Sequence, residues 1–339
     1  MQQLGYVVIT DYIKANTGED LSDALQELIL QNPNRTIFFP DGEYVIAKPI
    51  CTPANPVHAV TLLLSNFAVI KAAENWSSTE AMIRLGAAEP FNEIAVNGSN
   101  YGITGGIIDG SDVANGISVD SGRETRIEKV SIKHTHIGIH IKDGANNHSS
   151  DADILDVIIV GNQKVGSIGV LIEGCDNTLT NMRIASVQIG IKILRTSQLL
   201  KNIHPLFCFG GEMNAESYAD SCGFYDDTPY QTWYQNCYSD QFATGFRMRG
   251  GARNVYSDCF CFWYTPHGGV QTGFAADGKF CSVIRSSNVN FHKASKNNAY
   301  LRVGEAGGNG VIETPIFDAS RITDFSYCDY LRGEALSEI

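Results

Sequence analysis

The sequence predicts an all-β chain wound as a right-handed single-stranded parallel β-helix, with an N-terminal amphipathic helix capping it. Three observations carry that prediction. A glycine-led strand motif recurs along the chain, an Asn or Asp recurs before an apolar residue in each repeat, and one helical stretch precedes the repeats. Repeats of this kind stack one unit on the next and bury a continuous core.

The motif reads Gly138-Ile-His-Ile-Lys, Gly169-Val-Leu-Ile-Glu and Gly190-Ile-Lys-Ile-Leu, with relatives at Gly116, Gly223, Gly245 and Gly273. An apolar residue follows each glycine, then a variable one, then usually another apolar one. That two-residue alternation is a short strand with one buried face. Successive glycines lie about 21 to 33 residues apart, shorter than a propeller blade and suited to one turn of a solenoid. Hairpin turns, which a propeller needs, are not evident. β-Branched residues and the period of two exclude helical repeats.

The second pattern places Asp156, Asn181, Asn202, Asn236, Asp258 and Asn288 directly before an apolar residue. Stacked in register, these side chains form a ladder at a turn, each bonding its neighbours; this is a structural role rather than a catalytic one.

Before the repeats, Asp20 can cap a helix whose apolar stripe is Leu21, Ala24, Leu25, Leu28 and Ile29, with Pro33 ending it. Such a helix covers the open end of the coil, where strand edges would otherwise be exposed. The segment Thr36–Ile50 supplies the first strands, turning at Pro40-Asp41-Gly42. The expected organisation is a cap with first strands over 1–50, coils over 51–310 and a C-terminal cap or oligomer contact over 311–339.

The opening, from Asp20 and Asp23-Ala24-Leu25-Gln26 to Thr36-Ile-Phe-Phe-Pro-Asp-Gly-Glu-Tyr-Val-Ile46, resembles that of pectate-lyase-like β-helix proteins, and Gly105-Gly-Ile-Ile-Asp-Gly110 is similar to one of their early-coil elements. With the repeats, the resemblance covers roughly residues 6 to 310. It implies a superfamily of glycosidases, polysaccharide lyases, epimerases and phage tailspikes. A shared fold of this kind does not fix the reaction.

Composition narrows the partners. The 339 residues carry 25 Lys and Arg against 37 Asp and Glu, a formal net charge of -12. No basic footprint for nucleic acid or anionic membrane is present. Nine cysteines, an odd number, sit mostly in apolar segments such as Cys259-Phe-Cys-Phe262 and lack metal-ligand spacing. No signal peptide is visible in this chain, and the apolar run near Ala59–Leu64 is too short to span a bilayer. The resemblance to β-helix tailspikes and secreted enzymes implies an extracellular or virion-associated chain.

Two regions could carry chemistry. In the glycine-led strands, the second and fourth residues should face solvent. The fourth-position column reads Asp120, Lys142, Glu173, Leu194, Asp227, Arg249 and Asp277. It is either an alternating charge ladder or a substrate groove in which carboxylates two rungs apart work as a pair. Tyr225, Arg247, Arg249 and Glu173 would then contact a sugar.

The second region is the insertion from His204 to Cys222 with the returning segment Thr232–Phe246. It gathers His204, Glu212, Glu216, Asp220, Trp233, Tyr234 and Asp240. Long loops on one side of a solenoid are where binding sites are built. Asp240 and Asp220 are the leading acid and base, with Glu216 and Asp227 behind them; Trp233 and His204 would position the sugar.

Other motifs are incomplete. Of the polygalacturonase set only Asp226-Asp227 is present. Asp109–Gly116 has a faint calcium-loop look but departs from the spacing of an EF-hand, and a plain turn suits it better. The spacing does not support calcium, and no metal site or cofactor is expected. His134 and His136 alternate at a strand end without a neighbouring cysteine or carboxylate in sequence.

The expected function is a carbohydrate-active β-helix enzyme, foremost a glycosidase cleaving a polysaccharide or oligosaccharide with paired carboxylates. The alternatives are a tailspike or adhesin that binds surface glycan, and a polysaccharide lyase. The resemblance implies a homotrimer, with Phe317–Ile339 as a trimer contact.

Overall fold

The computed structural model describes residues 5–89, 101–143, 149–264, 270–290 and 298–313. Its contacts divide into two compact units, one of residues 1–162 with 169–177 and one of residues 163–168 with 178–339. Each unit is a run of parallel coils. Every complete coil contributes one strand to a narrow sheet and two short strands, or one long bent strand, to a wider wall.

The glycine-led segments are the narrow-sheet strands. In the first unit Asn115–Val119 and Ile137–Ile141 pair in parallel with Ile117 beside Ile139. In the second unit Ile189–Ile193, Cys222–Asp226, Thr244–Met248 and Thr272–Ala276 pair so that Ile191, Phe224, Phe246 and Phe274 align. These four side chains are fully buried, and the rings of Phe224 and Phe246 stack at 4.7 Å. Gly116 and Gly138 are small because the sheets close in there. A Cβ on Gly138 would lie 2.7 Å from both the Gly169 carbonyl oxygen and the Ile159 side chain.

The inward and outward alternation breaks at one second-position residue, and one inward position is polar. Ser118, at a second position, is fully buried and donates its hydroxyl to Asp120. Asp226, at a third position, puts a carboxylate into the core.

In the wider wall seven of the described coils bend at one non-glycine residue with positive φ. These are Lys129, Asp156, Asn181, Asn202, Asn236, Asp258 and Ser286. Asn and Asp tolerate this left-handed region better than other non-glycine residues. The expected ladder exists in the second unit, where the Asn202 amide donates to Asn181 and the Asn236 amide donates to Asn202 at 3.3 Å. Asn288 does not join it: the bend of that coil falls at Ser286, and Asn288 begins the following strand. An earlier coil bends at Gly105 and Gly106, both at positive φ.

The capping helix, α1, spans Ser22–Gln31. Asp20 accepts from the Ser22 amide at 2.9 Å, and Leu25, Leu28 and Ile29 are buried. Two details differ from the sequence reading. The helix begins one residue later, with Leu21 as its N-cap, and Ala24 is exposed. Gln26 shows how the cap works. Its side chain donates to the Cys51 carbonyl at 2.9 Å and accepts from the Cys51 amide at 2.7 Å. Cys51 lies in Ile50–Pro53, the first strand of its sheet, so the helix satisfies an open edge with one amide.

The segment Thr36–Ile50 forms the strands Arg35–Phe39 and Gly42–Ile46 and opens the next, as expected. The proposed C-terminal cap, trimer contact included, lies outside the described residues from 314 onward. No helix among the described residues is long and apolar enough to cross a membrane.

Candidate functional site

In the second unit the wall strands Leu199–Leu206, Tyr238–Asp240 and Phe260–Phe262 run side by side. Asp240 pairs with Leu206 and Phe262, and Tyr238 with Phe260, which pairs in turn with Asn288. Between Tyr238 and Asp240, Ser239 points to the core against Gly223. Tyr238 and Asp240 therefore share the outer face.

There the imidazole of His204 stacks on the Tyr238 ring, centroids 4.2 Å apart and planes 14° from parallel. The Asp240 carboxylate receives three groups: His204 Nε2 at 3.4 Å, the Tyr238 hydroxyl at 3.4 Å and the Gln241 amide at 2.8 Å. Its side chain is 11% exposed. Burial, and then the charge of Asp240, push the Tyr238 phenol up to about 12. The ring series continues from Tyr238 to Phe260 at 5.2 Å, to Phe262 at 6.1 Å and to the exposed Tyr264 at 6.0 Å. A carboxylate, an imidazole and a phenol thus meet at one end of an aromatic strip.

The long insertion begins beside this group. The Phe207 amide donates to the Asp240 carbonyl at 3.0 Å, and Phe207, Met213, Tyr218 and Phe242 form a buried cluster that holds the loop down. The loop carries a short helix, α2, over Ala215–Tyr218, capped by Asn214. Glu216 and Asp220 stand exposed on it, and neither carboxylate hydrogen-bonds among the described residues. Glu212 turns elsewhere and accepts from the Val165 amide at 3.1 Å.

The remaining expected residues separate. Trp233 is 41% exposed on the first strand of its coil, before the Asn236 bend, in register with Leu199 and Val255. Tyr234, grouped with the exposed aromatics on sequence, is buried and donates to Asp226 at 2.9 Å, because the alternation turns it inward.

Tyr225 and Arg247 lie on narrow-sheet strands and Asp227 and Arg249 directly follow them, away from the Asp240 face. Lys192 and Arg247 both stack on Tyr225, at 5.7 and 4.9 Å from its centroid, so the ring already has cationic neighbours. Arg247 also pairs with Asp277 at 2.8 Å. Glu173 belongs to the first unit, where it pairs with His140 at 2.8 Å. Nearby, Asp120 is held by Arg84 and Lys142, and Lys142 also reaches Glu80. These contacts are those of a charge ladder.

Sequence reasoning missed Tyr238 and the Phe260, Phe262 and Tyr264 series. Their signal was the two-residue spacing after each Asn or Asp bend, which turns alternate residues outward. It also missed that His134 has Asp109 2.9 Å away, across a neighbouring coil. The segment from Asp109 is a turn, with the Ser111 amide donating to Asp109 at 2.9 Å and positive φ at Ser111 and Asp112. No group of three potential metal ligands occurs among the described residues.

No protein-family model and no curated protein matches the sequence. Solved structures do match in fold. ORF18 of Geobacillus virus E2 aligns over 91% of this chain and 62% of its own, with 13% identity and a TM-score of 0.56. The catalytic unit of an α-1,3-glucanase from Streptomyces thermodiastaticus aligns over 93% and 64%, with 14% identity and a TM-score of 0.56. The gp42 tailspike of Acinetobacter phage vb_AbaP_AS12 aligns over 93% and 57%, with 11% identity and a TM-score of 0.56.

The chain is a right-handed parallel β-helix protein. It spans about three fifths of the length of these three. In a β-helix of this kind, outward side chains in register form columns, and the Asp240 face is two such columns side by side.

Proposed function

We propose that this chain is a carbohydrate-active β-helix protein that binds a glycan across the aromatic strip and cleaves it at Asp240. The single observation behind this is the meeting of Asp240, His204 and Tyr238 at the end of the series Phe260, Phe262 and Tyr264. Aromatic faces stack on sugar rings, and a carboxylate beside an imidazole supplies acid and base. The resemblance in fold to a glucanase and a tailspike supports a glycan partner.

Hydrolysis is the principal reading. Glycosidases work with two carboxyl groups on either side of the scissile bond. Asp240 is the anchored one, and Asp220 or Glu216, exposed on the loop pinned at Phe207, supplies the other. With a pKa near 12, the Tyr238 phenol stays protonated and donates rather than abstracts.

One observation favours elimination as a second reading. The groups in contact with Asp240 are an imidazole, a phenol and the Gln241 amide, and no second carboxylate is bonded there among the described residues. In a lyase a base removes the proton beside a uronate carboxyl, the bond from the adjacent ring carbon to the glycosidic oxygen breaks, and that oxygen leaves with a proton, giving an unsaturated product.

A tailspike or adhesin role is compatible with either chemistry and implies a virion or cell-exterior location and a trimer, which mass measurement in solution tests. To separate the chemistries, the purified chain is incubated with a panel of neutral and uronate polysaccharides. New reducing ends without ultraviolet absorbance indicate hydrolysis, and absorbing products indicate elimination. Saturable binding with no product on any polymer rejects cleavage and leaves a binding module.

A further inference from the structure

We propose that the first unit carries a separate glycan-binding groove, selective for an oligosaccharide bearing amino groups. It shares no residue with the Asp240 face and does not depend on its chemistry. Two cavities of about 380 and 290 Å³ open on the wall of this unit, and both are lined by Thr61. The larger is lined further by Thr104, Glu124, Arg126, Glu128 and Asp153.

Register explains why a groove forms here. Thr36, Thr61, Gly102, Arg126 and Asp153 are aligned on five successive strands. Four strand spacings at about 4.8 Å give a track roughly 19 Å long. Gly102 interrupts the column of side chains at its middle. A Cβ there would lie 2.1 Å from the Arg126 carbonyl oxygen, so close approach of the two backbones keeps the notch open.

The lining chooses the occupant. Glu124 and Glu128 are half-buried, yet neither carboxylate has a hydrogen bond or ion pair among the described residues. Asp153 has only a long contact with Arg126, at 3.9 Å. In the larger cavity three carboxylates stand against one guanidinium and leave it negative, while Arg35 lines the smaller one. Unsatisfied, partly desolvated carboxylates favour an ammonium group, which makes charge-assisted hydrogen bonds to them. Thr61, Thr104 and Arg126 offer the partners that sugar hydroxyls need. An anionic polymer would be repelled.

The test is calorimetric titration of the full chain with four probes: a glucosamine hexasaccharide, cellohexaose, an oligogalacturonate hexamer and pentalysine. The glucosamine hexamer is expected to bind saturably and about tenfold or more tighter than each of the others. The double variant Glu124→Gln, Glu128→Gln should weaken it about tenfold, Thr104→Trp should block it, and Asp240→Asn should leave it unchanged. Thermal unfolding confirms that the variants are folded.

The proposal is overturned if the hexamer does not bind, or if cellohexaose or pentalysine binds equally well. It is also overturned if the groove variants bind like wild type, or if Asp240→Asn abolishes binding. Failure of the groove leaves the Asp240 proposal untouched, because that is read from cleavage products.

Discussion

His204 lies flat against Tyr238, and both reach the carboxylate of Asp240 at 3.4 Å. The stack fixes the imidazole, and the phenol donates to the carboxylate. Tyr238→Phe keeps the ring and removes the donor. Activity on a cleaved glycan should fall by about tenfold or more, while His204→Ala, which removes the proposed proton-transfer group, should cost about a hundredfold or more. Tyr218 and Tyr238 are both raised to about 12. In a titration followed by phenolate absorbance, the amplitude near 12 should fall by one tyrosine in Tyr238→Phe.

Asp120 makes the first unit sensitive to acid. Burial pushes its carboxyl up, but hydrogen bonds from Arg84 and Ser118 and the charge of Lys142 outweigh that and hold it below the usual range. A lowered folded pKa contributes stability that is present above the unfolded value near 3.9 and lost as pH falls through the folded value. Asp120→Asn should therefore destabilise by about 1–2 kcal/mol at pH 7 and by less at pH 3. Denaturant midpoints at the two pH values check this.

Asp226 has the opposite sign. Burial raises its pKa, and hydrogen bonds from Thr228 and Tyr234 offset this only in part. The contribution of a raised carboxyl is present below the unfolded value near 3.9 and lost as pH rises through the folded one. The stability of Asp226→Asn relative to wild type should thus improve as pH rises from 3 to 7. A relative stability that moves the other way contradicts the assignment.

The Asn202 bend needs positive φ as well as its ladder amide. Asn202→Val should destabilise the second unit by about 1–3 kcal/mol, since a β-branched residue is strained in that region. Asn202→Gly relieves the strain and loses the ladder bonds, so its cost should be about 1 kcal/mol. Thermal unfolding of the pair separates the two contributions.

The coil was legible because its signal is local and repeated. Gly138-Ile-His-Ile states a close approach, an inward residue and an outward one within four positions, and neighbouring coils say it again. The cap was legible for the same reason, although Ala24 shows that a helical stripe read from sequence is wider than the face that packs. The ladder failed at Asn288 because Ser286 adopts the same backbone conformation without the expected side chain.

The site was harder to read because it is assembled across coils. Asp240 could be picked out as an acid beside a long insertion. Its contact with His204, 36 residues earlier, depends on the register of two strands separated by that insertion. Tyr225 and Arg247 looked like sugar contacts in their column, and the column itself occupies them with one another and with Lys192. Glu124 and Glu128 gave no motif at all, since only the gap at Gly102 turns them into the lining of a groove.

The most direct test is glycan cleavage by wild type and Asp240→Asn under identical conditions, on whichever polysaccharide the wild type degrades. Product release that falls by about a thousandfold in the variant, with its glycan binding and unfolding temperature retained, is the predicted result. Release at the wild-type rate would contradict the assignment of Asp240 as the reacting carboxylate.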